Sequence, residues 1–352
     1  MTIKSGNFDS FVQFVTENSL GACNFYLMPD LLSLWLHHLA NEERFFSLLD
    51  TDEKNPSALP MRYIGKRTCE ALPGGDIWRS GFLFSVDKRV NYEKYVDYLY
   101  NIRKKWDVIE FIHLSQDVLN KLTACVVQRG LLFVKKQRYL SRVLPVSGDF
   151  SAYEESPYMK KLVKSMISKK KQFAKKYGVD LKHTIHRDND TTHQIEEVLR
   201  ISCRSWKAKQ NTHMGSEQKR DYYKEMWSVI AKREMGEIHL LWHDNKAIAF
   251  ALVAYWGDEA YILKTSFDED YKPYYVGSII QHLALQHIFN ELRAKKIDFL
   301  SDYQNCQLFC SDTEEYTTIL LFNRSWQSRI RFIIEQYGKT FVKKILKKEE
   351  KD

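Results

Sequence analysis

The sequence predicts a protein of the α/β (α+β) class in two domains, on three observations. At 352 residues the chain is longer than one simple core accommodates. Its 44% hydrophobic and 28% charged content is that of a globular protein rather than a disordered one. Strand-like apolar runs alternate with helix-periodic segments in both halves.

Helical periodicity opens the chain in "FDSFVQFVTEN" and returns in "LLSLWLHHLANEERFFSLL". Residues 51–80 carry proline, glycine and polar residues and read as loop with short strands. "WDVIEFIHL" is a strand, and "LLFVKKQRYLSRVLPV" is one or two more, which closes an N-terminal domain over 1–150. A basic helix links it, over 151–180, to a second domain over 181–352. That domain begins with "GVDLKHTIHR", followed by the helices "THQIEEVLRISCRSWKAK" and "SEQKRDYYKEMWSVIAKRE". A three-stranded meander comes next: "EIHLLWH", "KAIAFALVAYW" and "EAYILKTSF", with turns at Asp244-Asn245 and Gly257-Asp258. Its middle strand is nearly all apolar, as a strand buried on both faces is. A helix follows from Gly277, then strands in "KIDFLSDY" and "TTILLF", and helices from Ser325.

The net charge of +8 is local. Residues 159–176, "MKKLVKSMISKKKQFAKK", hold eight lysines and no acid, so the remainder comes to 8 − 8 = 0. Met159, Leu162, Val163, Met166, Ile167, Phe173 and Ala174 recur at helical spacing, and Tyr177-Gly178 supplies a C-cap. The Lys160–Lys176 helix is either a solvated surface helix or a contact for an anionic membrane surface or anionic substrate. Sparse aromatic interleaving ranks nucleic acid below these.

Several function classes are excluded. The N-terminus lacks the apolar core of a signal peptide, and no run approaches the roughly 18 apolar residues of a membrane span. Cys23, Cys69, Cys125, Cys203, Cys306 and Cys310 form no disulfide framework, so a reduced, cytoplasmic setting is expected, with peripheral membrane contact through the lysine helix as an option. Cys306 and Cys310 are a lone CxxxC, and His183 and His186 lack a metalloprotease context, so no metal is expected. No phosphate loop of the GxxxxGK[ST] type and no GxGxxG follows a strand.

"YKPYYVGSIIQHLALQHI" (271–288) turns through Gly277-Ser278 into a helix. From the residues alone this is either a plain helix start or a backbone cradle for a phosphate-bearing cofactor.

Four stretches carry a resemblance: "SWKAK" (205–209), "YILKTSFDEDY" (261–271), "YYVGSII" (274–280) and "IDFLSDY" (297–303). With the element order over about 155–330, they resemble the GNAT superfamily of N-acyltransferases, and within it the CelD-like branch related to the Fem aminoacyltransferases. The resemblance implies tandem GNAT-like domains, each a mixed, mostly antiparallel sheet flanked by helices, the first one degenerate. It implies an acyl-CoA thioester in the gap between strands 259–267 and 297–301, with Thr265, Ser266 and Phe267 beside it. It implies a pyrophosphate on Val276, Gly277 and Ser278, with Lys272 supplying charge. The chain departs from the family in two places. Tyr274 and Ile279 stand where the superfamily loop has Gln or Arg and a small residue. Asn305-Cys306 falls where the CelD-like branch has a Tyr-Lys pair.

Acyl transfer to an amine needs a held, neutral nitrogen, an oxyanion donor and a base. His213, in the polar loop "KQNTHMGSE", is a candidate base or an ordinary loop histidine. Asp298 is a candidate or a lysine partner within its strand, and Asp302 a candidate or a turn former. Trp206 and Lys207 line the acceptor pocket or pack against core and solvent; Lys264 binds an anionic group or sits on a strand edge. The function expected is an acyl-CoA-dependent N-acyltransferase acting on a primary amine, implied by the resemblance to be an amino sugar or a cell-envelope or polysaccharide precursor. The alternatives are a Fem-like transferase using aminoacyl-tRNA and a non-catalytic binding protein on a GNAT scaffold.

Overall fold

The computed structural model describes residues 3–22, 27–40, 44–72, 81–84, 90–187 and 191–349. Cys23 and residues 73–80 of the expected loop lie outside them. In chain order the elements begin β1 (Ile3–Gly6), α1 (Phe8–Glu17), β2 (Gly21–Ala22), α2 (Pro29–Leu39), β3 (Phe45–Asp50), β4 (Ser57–Tyr63), β5 (Thr68–Ala71) and β6 (Leu83–Phe84). Then come α3 (Tyr92–Asn101), β7 (Val108–Ser115), α4 (Gln116–Gln128), β8 (Leu132–Pro145), α5 (Phe150–Glu155), α6 (Lys160–Tyr177), β9 (Lys182–His186) and α7 (Thr192–Cys203). A 3-10 turn at Trp206–Gln210 leads to α8 (Glu217–Lys232), β10 (Gly236–His243), β11 (Lys246–Trp256) and β12 (Glu259–Phe267). A second 3-10 turn, Glu269–Tyr274, precedes α9 (Val276–Glu291), β13 (Lys296–Asp298), α10 (Gln304–Gln307), β14 (Thr313–Phe322) and α11 (Trp326–Glu349).

Packing divides the chain into one unit of Met1–Tyr139 with Glu315–Asp352, and another of Leu140–Glu314. The expected domains, 1–150 and 181–352 joined by a linker, cut the sequence differently. Strand β14 pairs antiparallel with β7, Tyr316↔Ser115 through Phe322↔Val108, which draws the C-terminal segment into the first unit. Pairing across some 200 residues leaves no local trace in sequence, so the expectation follows chain order instead.

Both units use one strand plan. In the first, β1, β3, β4 and β5 run antiparallel, β5 pairs in parallel with β7, and β14 closes antiparallel on β7. In the second, β9, β10, β11 and β12 run antiparallel, β12 pairs in parallel with β13, and β8 closes antiparallel on β13. A parallel pair needs a crossover, and α3 and α9 lie in the two crossovers. The fold is therefore mixed α/β, mostly antiparallel and flanked by helices, in two similarly built halves.

Two local expectations change. "ANEERFFSLL" does not extend a helix: α2 ends at Leu39, and Phe45–Asp50 is β3, paired on one side with β1 and on the other with β4. A short apolar run buried on both faces has no period that separates helix from strand. The strand of "KIDFLSDY" is only Lys296–Asp298. The meander stands as expected, with nine consecutive buried residues in β11 and α9 laid across it. Helix α6 seats Met166 and Phe173, with Met159 buried just before it, leaves Ile167 exposed, and ends on Gly178 at φ 74°.

In the first unit Asp107 organises the start of α11. Its carboxylate accepts Arg67 Nε and Nη2 at 2.8 and 2.9 Å and Ser325 Oγ at 3.0 Å, while its carbonyl accepts Ser328 Oγ at 2.6 Å. Burial alone would raise this carboxyl, but the hydrogen bonds from Arg67 and then Ser325 outweigh it and hold the pKa below the usual range. Such a group stabilises the fold above the unfolded value of ~3.9 and loses that contribution as pH falls through the folded value. Asp107→Ala should cost about 2 kcal/mol at neutral pH, because the charge-assisted hydrogen bonds from Arg67 and Ser325 are lost while Arg67, 35% exposed, keeps access to water. Urea midpoints should show the wild-type advantage shrinking as pH drops below about 4.

Candidate active site

Strand β12 changes neighbours along its length. Its first residues pair with β13, Glu259↔Lys296, Ala260↔Ile297 and Tyr261↔Asp298. Leu263 is then an extra residue, since Ile262 faces Val253 and Lys264 faces Leu252. Such a bulge bends a strand and ends pairing. On the other side, β13 stops because Asp298 Oδ1 accepts the Leu300 N–H at 2.8 Å, with Leu300 in a left-handed turn at φ 51°. The two strands thus part after three pairs, and residues 262–267 of β12 border a gap.

Backbone parity tells which groups face it. The Asp268 N–H donates to Ile248 O of β11 at 2.8 Å. In an antiparallel ladder every second residue turns to the same neighbour, so Ser266 and Lys264 also turn to β11, and Thr265 and Phe267 turn to the gap. The Thr265 carbonyl there accepts Lys207 Nζ at 2.9 Å. Among the described residues no strand pairs with the Thr265 and Phe267 N–H groups on that side.

Beyond β12 the chain is pinned by a buried carboxylate. Asp268 accepts Arg204 Nε at 2.6 Å and Lys246 Nζ at 2.9 Å, and its other oxygen accepts the Asp270 N–H at 3.2 Å. Burial pushes its pKa up, but the Lys246 and Arg204 hydrogen bonds win and the group stays below the usual range. The 3-10 turn then reaches Tyr275, left-handed at φ 56°, and α9 begins with no side-chain cap and no acid in its first turn. Among the described residues the N–H groups of Val276, Gly277 and Ser278 therefore have no partners. Gly277 is dictated by packing, since a Cβ there would lie 2.6 Å from Phe267 Cδ1.

The lysine helix flanks this turn. Phe173 and Tyr177 of α6 pack on Tyr274, and Phe173 also on Tyr271. That brings Lys176 Nζ to 5.5 Å from the Tyr274 ring centre and Lys169 Nζ to 5.4 Å from that of Tyr275. With exposed Lys272, three cations surround an uncapped helix start. The equivalent crossover helix of the first unit differs: Asn91 caps α3 by accepting the Lys94 N–H at 3.3 Å, and Glu93 sits in its first turn.

Lys207 is the most perturbed amine of this region. Burial first, and then the charge of Lys264, lower its pKa to about 8, with Cys306 pulling slightly the other way. Cys306 is thus an electrostatic neighbour of Lys207, and its thiol hydrogen-bonds Ser301 Oγ at 3.1 Å.

The other expected residues fall as follows. Asp298 is fully buried and accepts Ser141 Oγ at 2.5 Å besides Leu300 N, which makes it the lock of the strand end rather than a group open to the gap. Asp302 is paired to Arg142 Nε at 2.5 Å and accepts Gln307 Nε2 at 3.2 Å. His213 is half-buried and its Nδ1 has no hydrogen-bond partner among the described residues. Ser266 Oγ is likewise buried without one, on the strand face it shares with Lys264, whose Nζ lies 6.0 Å from the Tyr223 ring centre. Trp206 is exposed at the head of its turn. The structure thus gathers Lys207, Thr265 and Cys306, with Phe267, Val276, Gly277 and Ser278 at one end. Sequence reading missed Lys169, Lys176, Asp268 and Arg204; only the lysine run pointed toward any of them.

Residues 160–307 match the family described as "Acetyltransferase (GNAT) domain". Three solved structures share the fold. FemX is 11% identical at TM-score 0.56, over 95% of this chain and 100% of its own. L-PGS from Bacillus licheniformis is 10% identical at TM-score 0.52, over 93% and 96%. A conserved protein of unknown function from Bacteroides thetaiotaomicron is 9% identical at TM-score 0.56, over 92% and 99%. At such identities the likeness speaks to fold alone. A search among curated proteins found no match.

Lys207 loses its proton near pH 8 when folded and near ~10.4 when unfolded, so the unfolded chain holds the extra proton in between. Stability contributed by this group therefore rises with pH from about 8 to ~10.4. Comparison of urea midpoints at the two ends of that window should show a rise in the wild type that Lys207→Met lacks.

Proposed function

We propose that residues 140–314 form an acyl-CoA-dependent N-acyltransferase acting on a primary amine. The observation that carries this reading is the parting of β12 from β13, which leaves the Thr265 and Phe267 N–H groups open beside the uncapped start of α9. A pantetheine arm can pair with the open edge as a strand would, and a pyrophosphate can take the three N–H groups of α9, helped by Lys169, Lys176 and Lys272. The acceptor nitrogen attacks the thioester carbonyl, the C–S bond breaks, and the thiolate of coenzyme A leaves. Lys207, neutral in part near pH 8, receives the proton from nitrogen, and gap-facing N–H groups stabilise the oxyanion. His213, with its unpartnered Nδ1, is the second candidate base. The first unit, whose α3 start is capped and acidic, lacks the uncapped helix start on which this reading rests. The CelD-like resemblance favours an amino sugar or cell-envelope precursor as acceptor.

An aminoacyl-tRNA donor is the second reading, favoured by the eight lysines at 159–176. Binding to RNA would then fall steeply with salt.

Ser278→Asp separates fold from ligand. A carboxylate in the first turn of α9 favours the helix dipole, whereas it repels a pyrophosphate. Calorimetry with acetyl-CoA and longer acyl-CoAs should show binding by the wild type, and at least about tenfold weaker binding by Ser278→Asp at unchanged thermal stability. No binding of any acyl-CoA by the wild type removes the reading and leaves tRNA to be tested.

A further inference from the structure

Helix α11 belongs to the first unit and touches it along a narrow strip. Ser328 bonds to Asp107, Phe332 packs on Phe322 at 5.6 Å between ring centres, and Arg331 Nη1 reaches Thr68 Oγ1 at 3.2 Å. On the opposite side Trp326, Ile330, Ile333, Ile334 and Tyr337 are 46 to 69% exposed. At about 100° per residue these five fall within a sector of about 100°, from Ile333 through Trp326 and Tyr337 to Ile334. Arg329 borders the sector on one side and Arg331 on the other, both exposed. In sequence the segment 326–349 carries seven lysines and arginines against two glutamates, a net of 7 − 2 = +5.

A monomer gains nothing from a stripe of this size left in water, where scattered single apolar residues are the rule. We infer that the Trp326–Tyr337 face of α11 is a docking surface for the anionic headgroup region of a lipid bilayer. Charge decides between occupants. A second copy would bring the same basic rims against each other, whereas an anionic bilayer neutralises them while its acyl boundary takes the isoleucines. Trp and Tyr, each with an apolar ring and a polar tip, suit the headgroup level. At 24 residues the helix extends about 36 Å, enough to lie along a surface. No helix among the described residues is long and apolar enough to cross a membrane. The inference is independent of the acyltransferase reading, and it places the membrane contact on α11 rather than on the lysine helix α6.

The test is flotation of the full chain with vesicles of phosphatidylcholine alone and of phosphatidylcholine with phosphatidylglycerol. The chain should float with the anionic vesicles and not with the neutral ones. Arg329→Gln should weaken binding about fivefold, the effect of one cation near a charged surface. The double variant Ile333→Glu with Ile334→Glu should abolish it, and since both side chains are exposed its thermal unfolding should match the wild type. Equal flotation with both vesicles, none with either, or flotation unchanged in the glutamate variant would each overturn the inference. So would a concentration-dependent dimer that the glutamate variant dissolves, which would give the stripe to a second copy.

Discussion

The contact on which the second unit depends is the close approach of the Phe267 ring to Gly277. A Cβ at 277 would come within 2.6 Å of that ring, so only glycine lets the end of β12 and the start of α9 meet. From this contact the geometry follows outward. The bulge at Leu263 and the early stop of β13 open the sheet, and the 3-10 turn leads into α9, whose Gly277 meets Phe267 at the end of β12. The glycine has a packing reason that holds with or without a ligand. What points to an anion is the start of α9: no side-chain cap, no acid in its first helical turn, and lysines from a helix distant in sequence.

Buried charge holds this arrangement in place. Asp268 is 1% exposed, and Arg204 and Lys246 compensate its desolvation so that the turn cannot drift. Asp298 does the same for the strand end by closing its own turn. Lys207 is the contrasting case, because among the described residues its Nζ donates to a neutral carbonyl, and burial outweighs that contact. A group whose burial is left under-compensated is where proton transfer becomes accessible near neutral pH.

How far the sequence foretold this depends on the range of the interactions involved. The meander was legible because each strand finds its neighbour through a tight turn, Asp244-Asn245 or Gly257, and because β11 is apolar throughout. The lysine helix and its Gly178 stop were legible for the same local reason. By contrast, "FFSLL" reads equally as helix or strand until β1 and β4 are seen on its two sides. Nothing near residue 315 announces a return to β7. Asp298 lies on a strand of alternating pattern that is legible locally, but Ser141, 157 positions away, is what takes it out of the gap. The site residues at 265–267 and 276–278 came from the resemblance; the amine of Lys207 meeting Thr265 came only from the fold.

The most direct measurement is hydrogen exchange of the free chain and of the chain saturated with acetyl-CoA, read at residues 263–280. If the open edge and the uncapped helix start are the donor site, the amides of Thr265, Phe267, Val276, Gly277 and Ser278 slow together on addition of acetyl-CoA. The amides of Lys264 and Ser266, already bonded to β11, change little. Protection confined to other parts of the chain, or absent throughout, would contradict the account.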